Sequence, residues 1–195
     1  MCEVKYDTAV RLFGCYVFRD ALKDFENLIF DDERLHKAVE AAEFYAKDTI
    51  SFKEMQFYGF SAGDYYKRLS KSRDKWSDRA KRDPDARVDA LMHSAACFLA
   101  GAATFISGGG IPKELGGCPA AMYIIPSIVT YSAFAKAYLR VIDMSVKLYD
   151  FGNKDALNGQ GVVLKMIAQA DAIEYAFIPE FERLCRLEGE YGKVV

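Results

Sequence analysis

The chemistry open to this chain is limited first by its histidines, of which there are two, His36 and His93. Arg87 and His93 stand six residues apart in a segment patterned as a helix. Histidine can move a proton and arginine can hold phosphate charge, so the pair would suit phosphodiester cleavage. Any Arg and His at that separation satisfy the same pattern. The plain alternative is a surface arginine near a helix start and a half-buried histidine. Glu33-x-x-His36 has the i, i+3 spacing of carboxylate metal sites in helical bundles. Such a site needs a second pair, and His93 has Asp89 before it rather than a Glu three residues earlier, so no metal is expected. The five cysteines, Cys2, Cys15, Cys97, Cys118 and Cys185, form no CxxC. They read as reduced, mostly buried thiols, as in a cytoplasmic protein. Gly108–Gly110 and Gly116–Gly117 lack the GxxxxGK[ST] context of a phosphate loop, and no cofactor is expected.

The strongest chemical signal is charge. Net charge is −2 over 195 residues, yet residues 67–87 hold nine Lys or Arg against four Asp. Residues 1–66 hold eight basic against thirteen acidic residues. Within YYKRLSKSRDKWSDRAKRDPDAR, the cations Lys67, Arg68, Lys71, Arg73, Lys75, Arg79, Lys81 and Arg82 surround the single tryptophan, Trp76. Cations neutralise phosphates and aromatic faces stack on unpaired bases, so this segment predicts binding of RNA or another polyanion. A solvated helix laced with i, i+4 pairs is the plain alternative.

These groups must be held by helices. Hydrophobic residues recur at helical spacing throughout, and no run alternates as a strand would. First and second helices are expected over 8–27 and from an Asp31 cap to about Thr49. Ser51 and Glu54 have the spacing of a capping box and open a short helix that Gly59 stops. Ser61 and Asp64 repeat the spacing and open a basic helix over 62–82. Asp83-Pro84 begins the next, which runs to about Ser107. Residues 108–119 read as the main irregular connection. The segment 126–150 is apolar nearly all round, so it is expected at the centre, with Pro126 at its start. Its polar stripe contains Ser132, Lys136, Arg140, Asp143 and Lys147. Helices over 162–177 and from Pro179 to Gly189 follow, with a loose tail over 189–195. The expected fold is therefore all-α, one domain over 1–195, with about seven or eight helices. Residues 90–112 and 115–135 lack charged residues and are about long enough to span a bilayer. Their Ser, Gly, Pro and His content favours a buried helical pair without a membrane. Residues 1–15 carry charges and no continuous apolar run, so no secretory signal is expected.

The Arg87-x5-His93 spacing is similar to the Arg-x4-6-His pattern of HEPN ribonucleases, which are helical bundles. That resemblance covers one helix and implies His93 as proton-transfer group with Arg87 on phosphate. The preferred expectation is different: a non-catalytic, self-associating RNA- or polyanion-binding protein, with Arg140 joining the basic helix in a shared groove. Viral nucleoproteins and silencing suppressors offer a fold-level analogy for a small helical protein of this kind. A structural scaffold whose basic helix meets an acidic partner is the remaining alternative.

Overall fold

The computed structural model describes residues 2–26, 32–83, 86–108 and 118–150. Among these, all regular structure is helical: α1 Cys2–Glu26, α2 Glu33–Ala46, α3 Phe52–Ala80, α4 Arg87–Gly108 and α5 Cys118–Asp150. The helices expected over 162–177 and 179–189, and the tail, lie outside the described residues.

Local signals account for several boundaries. Asp32, one residue later than expected, caps α2 by accepting the Arg34 backbone N–H at 3.0 Å. The helix ends at Ala46 rather than near Thr49. Asp48 takes a left-handed φ of 57° there, a conformation that Asp tolerates better than most residues. Thr49 N–H then reaches the Phe44 carbonyl at 2.8 Å and Asp48 N–H the Tyr45 carbonyl at 3.1 Å, the paired bonds of a Schellman turn. At the start of α3, the Glu54 N–H donates to Ser51 Oγ at 3.2 Å. The Ser51 N–H donates back to Glu54 Oε2 at 2.8 Å, closing the capping box.

The structure corrects the expected break at Gly59. One helix of 29 residues runs from Phe52 to Ala80. Met55, Gly59, Ala62 and Leu69 are its buried positions and form a single stripe through the expected break. An interior glycine costs about 1 kcal/mol relative to alanine. Keeping that stripe in register against the bundle outweighs it. The short helix and the basic helix of the sequence reading are thus one rod, which lowers the expected helix count.

Among the described residues, the central position belongs to α4 rather than to the 126–150 segment. α4 packs against each of the other four helices, most extensively α3 and α5, whereas α5 packs mainly on α4 and α1. Composition explains this. Ala95, Ala96, Ala100, Ala102 and Ala103 are buried, and these short side chains admit neighbours on every side. The hydroxyls of Ser94, Thr104 and Ser107 donate to the carbonyls of Ala90, Ala100 and Ala103 at 2.8–2.9 Å. Each buried hydroxyl is therefore satisfied within its own helix. Residues 87–107 are the one described stretch long and apolar enough to cross a bilayer, and 67% of that window is buried inside the bundle.

α5 begins eight residues before Pro126 and continues through it. Ile125 and Ile128 press on α1 at Gly14, where a Cβ would lie 2.9 and 3.0 Å from their Cδ1 atoms. That close contact holds the helix on both sides of the proline. The core itself combines Phe13, Val17, Phe18, Leu22 and Phe25 of α1 with Leu35 and Val39 of α2, Leu99 of α4 and Ile128 of α5.

Candidate nucleic-acid interface

The solvent face of α3 and the turn after it carry the cations singled out in the sequence. Lys67, Arg68, Lys71, Lys75, Arg79, Lys81 and Arg82 are exposed, whereas Arg73 and Trp76 are partly buried. The four aspartates between residues 64 and 83 each hold one cation. Asp64 pairs with Lys67 at 3.2 Å, Asp74 with Arg73 at 2.9 Å, Asp78 with Lys81 at 2.7 Å and Asp83 with Arg79 at 3.2 Å. Arg68, Lys71, Lys75 and Arg82 form no ion pair among the described residues. At about 100° and 1.5 Å per residue, Arg68, Lys71 and Lys75 share one row along the helix about 10 Å long, and Arg82 follows in the turn after α3. The Lys67 and Lys81 pairs are solvent-exposed, and such pairs contribute only about 0–1 kcal/mol, so a phosphate can displace their partners.

Trp76 faces inward. Its indole stacks on the imidazole of His93 on α4, with centroids 5.6 Å apart and planes 15° from parallel. The Arg79 guanidinium sits 5.0 Å from the indole centroid. Trp76 thus joins α3 to α4, and its contacts with His93 and Arg79 leave less of the ring for the base stacking expected of it.

His93 is engaged in the same seam. Its Nδ1 lies 3.3 Å from the Ser72 hydroxyl. Burial lowers its pKa from the ordinary histidine range, opposed by the charge of Asp89. The six-residue separation puts Arg87 about 120° round α4 from His93 and about 9 Å along it. Within one copy of the chain, the pair therefore does not converge on a single phosphate.

The lowered His93 pKa has a measurable consequence. Protons bind the unfolded chain more readily than the folded one, so stability contributed by neutral His93 is present above its unfolded pKa of about 6.5 and declines as pH falls from there through the folded value. Thermal unfolding followed from pH 7.5 to 5.5, a window of about one unit either side of that value, should show a smaller loss for His93→Gln than for the parent. Parallel curves would mean that the imidazole is solvated in the folded state.

Arg140 lies apart from this face. Tyr138 stacks on Phe98 of α4, with centroids 5.6 Å apart. Lys136 turns toward α1, where its Nζ meets Asp20 at 2.7 Å and Asp24 at 3.7 Å. Helical geometry puts the exposed Arg140 about 160° round α5 from Tyr138. The shared groove is thus not formed, and Lys136 instead has an internal ion-pair role. Ser132, on the same stripe, is buried with a hydroxyl that has no hydrogen-bond partner among the described residues. The side chain of Lys147 is outside the described residues.

Nothing else in the described chain assembles a reactive centre. No group of three or more His, Cys, Asp or Glu side chains among the described residues can hold a metal. Glu33 pairs with Lys37 at 2.9 Å. Cys15 and Cys97 are buried free thiols. Burial holds both above the ordinary thiol range, and for Cys97 the nearby Arg73 cation opposes it. A neutral thiol is a poor nucleophile.

No family model matches this chain, and neither does any curated protein or solved structure. The functional reading therefore rests on the arrangement of side chains. One part of that arrangement is missing from the sequence reading. Phe57 and Phe60, at 68% and 67% exposure, stand on the solvent face of α3 just before the cationic row.

Proposed function

We propose that this protein binds RNA or a comparable polyanion along the solvent face of α3 without catalysing a reaction on it. The observation that carries this reading is the surplus of cations. Between Asp64 and Asp83, every aspartate is already paired, and Arg68, Lys71 and Lys75 are left aligned and exposed on α3, with Arg82 exposed in the turn beyond it. Phosphates on a nucleic-acid backbone fit such a row by charge and without regard to sequence. The inward positions of His93 and Trp76 favour binding over cleavage. Self-association through the acidic N-terminal part receives less support, because Glu43, Asp20 and Asp24 are occupied by Arg19 and Lys136 within the fold.

Lys71→Ala with Lys75→Ala should weaken binding to every RNA sequence tested. It should also make the dependence of log affinity on log salt shallower by about 1–2 units, because two phosphate contacts are lost. Fluorescence anisotropy across a salt series measures both. Fold stability should stay within about 0.5 kcal/mol of the parent, as is usual for exposed positions. Recovered RNA should be intact. A parent that binds no RNA at low salt, or a double variant that matches it in affinity and slope, would leave the scaffold reading in its place.

A further inference from the structure

Two aromatic rings continue the cationic row. At 100° per residue, Phe57, Phe60, Lys67, Lys71 and Lys75 fall within an arc of about 80° on α3. Beside them, between α2 and α3, lies an open groove of about 410 Å³ lined by Phe44, Ile50, Phe57 and Tyr58. That volume lies in the range of about 300–1,000 Å³ usual for ligand pockets. Glu40 and Glu54 also line the groove. Lys37, at the same rim, is paired with Glu33. The charges thus divide: carboxylates in the groove repel phosphate, while the lysine row beyond it attracts phosphate.

From this division we infer that the site takes an unpaired nucleic-acid strand, its phosphates on the Lys67–Lys75 row and its bases on Phe57, Phe60 and the adjoining groove. This rests on the α3 reading above and specifies its ligand. A base is neutral, so the groove carboxylates do not repel it, and the N–H groups on its edge, the ring N3–H of uracil and thymine included, can donate to Glu40. Aromatic faces stack on bases of any sequence, but only an unpaired strand presents its base faces. A duplex or heparin can use the lysines alone. The exposed rings would otherwise be a solvated apolar patch beside a strongly charged one, without a common ligand.

The test compares the parent with Phe57→Ala/Phe60→Ala against oligouridylate, oligodeoxythymidylate, an RNA duplex, heparin and phosphatidylserine vesicles. The double variant should bind both single strands roughly tenfold or more weakly, as expected for loss of base stacking. Duplex and heparin binding should stay within about twofold, since the phosphate contacts remain. Phe57→Tyr/Phe60→Tyr should bind like the parent and guards against a general fault in the alanine variant. A ribose-specific loss, seen with oligouridylate alone, would place the contact on the 2′-hydroxyl and overturn the stacking role. Equal single-strand affinity in parent and alanine variant would overturn the inference while leaving the α3 reading intact if heparin and duplex still bind. Binding of vesicles in place of strands, or a dimer in the parent that the alanine variant dissociates, would assign the rings to a lipid surface or to a second copy. A parent that binds none of the polyanions would remove the α3 reading and this inference together.

Discussion

Phe18→Ala should lower stability by about 3–5 kcal/mol, the usual range for removing a buried phenylalanine ring. Phe18 is 0% exposed and belongs to the main core cluster. Truncation removes the transfer energy of the ring and leaves a cavity that the fixed helices only partly close. Domains of this kind are commonly stable by about 5–15 kcal/mol, so the variant should lose a large share of the total. The check is a denaturant titration. The midpoint should move down with little change in slope, the pattern of a stability change without a change in the unfolding reaction. Phe60→Ala supplies the contrast. Its ring is 67% exposed, and truncation should alter stability by no more than about 0.5 kcal/mol. Similar losses in the two variants would mean that α1 is not packed in the core as described.

That contrast also marks where the sequence was legible. Helical periodicity separated inside from outside on α1, and the capping spacing of Ser51 and Glu54 located the start of α3. Both signals are local. The reading failed where packing between distant segments decided the outcome. Gly59 looks like a stop in isolation, yet it lies in a buried stripe continuous with Met55 and Ala62. Treating it as a stop also separated Phe57 and Phe60 from the lysines that follow them. A single rod would have put all of them on one face by counting alone. The role of Trp76 depends on His93, seventeen positions away and on another helix, and no spacing rule reports such a stack. The same holds for Lys136, whose partner Asp20 is 116 residues away in sequence. Apolar density also misled the choice of central helix. The 126–150 segment is richer in large side chains, but among the described residues the centre belongs to the alanine-rich α4, where small side chains allow closer approach.

Gly101→Val tests that last point and should destabilise the protein by about 3 kcal/mol, near the upper end of ordinary overpacking. Gly101 is buried in α4, and a Cβ there would overlap the Tyr131 ring of α5 and stand 3.4 Å from Tyr66 of α3. The Tyr131 ring cannot swing aside freely. Phe98 and Phe105 flank it edge-on, with centroids 5.5 and 5.2 Å away. Valine regains only a few tenths of a kcal/mol in helix propensity over glycine, far less than the clash costs. Gly101→Ala should be milder, because its gain of about 1 kcal/mol in propensity opposes a smaller overlap. A double-mutant cycle isolates the contact. With Tyr131→Ala in place, the valine should cost much less, giving a coupling of more than about 1 kcal/mol. Strictly additive losses would show that α4 and α5 do not approach closely at this residue. The expected coupling instead ties the glycine to its neighbours. Residue 101 then has no room for a side chain because Tyr131 and Tyr66 converge on it from two helices. The small residues of α4 would thus set how closely both α3 and α5 can lie against it.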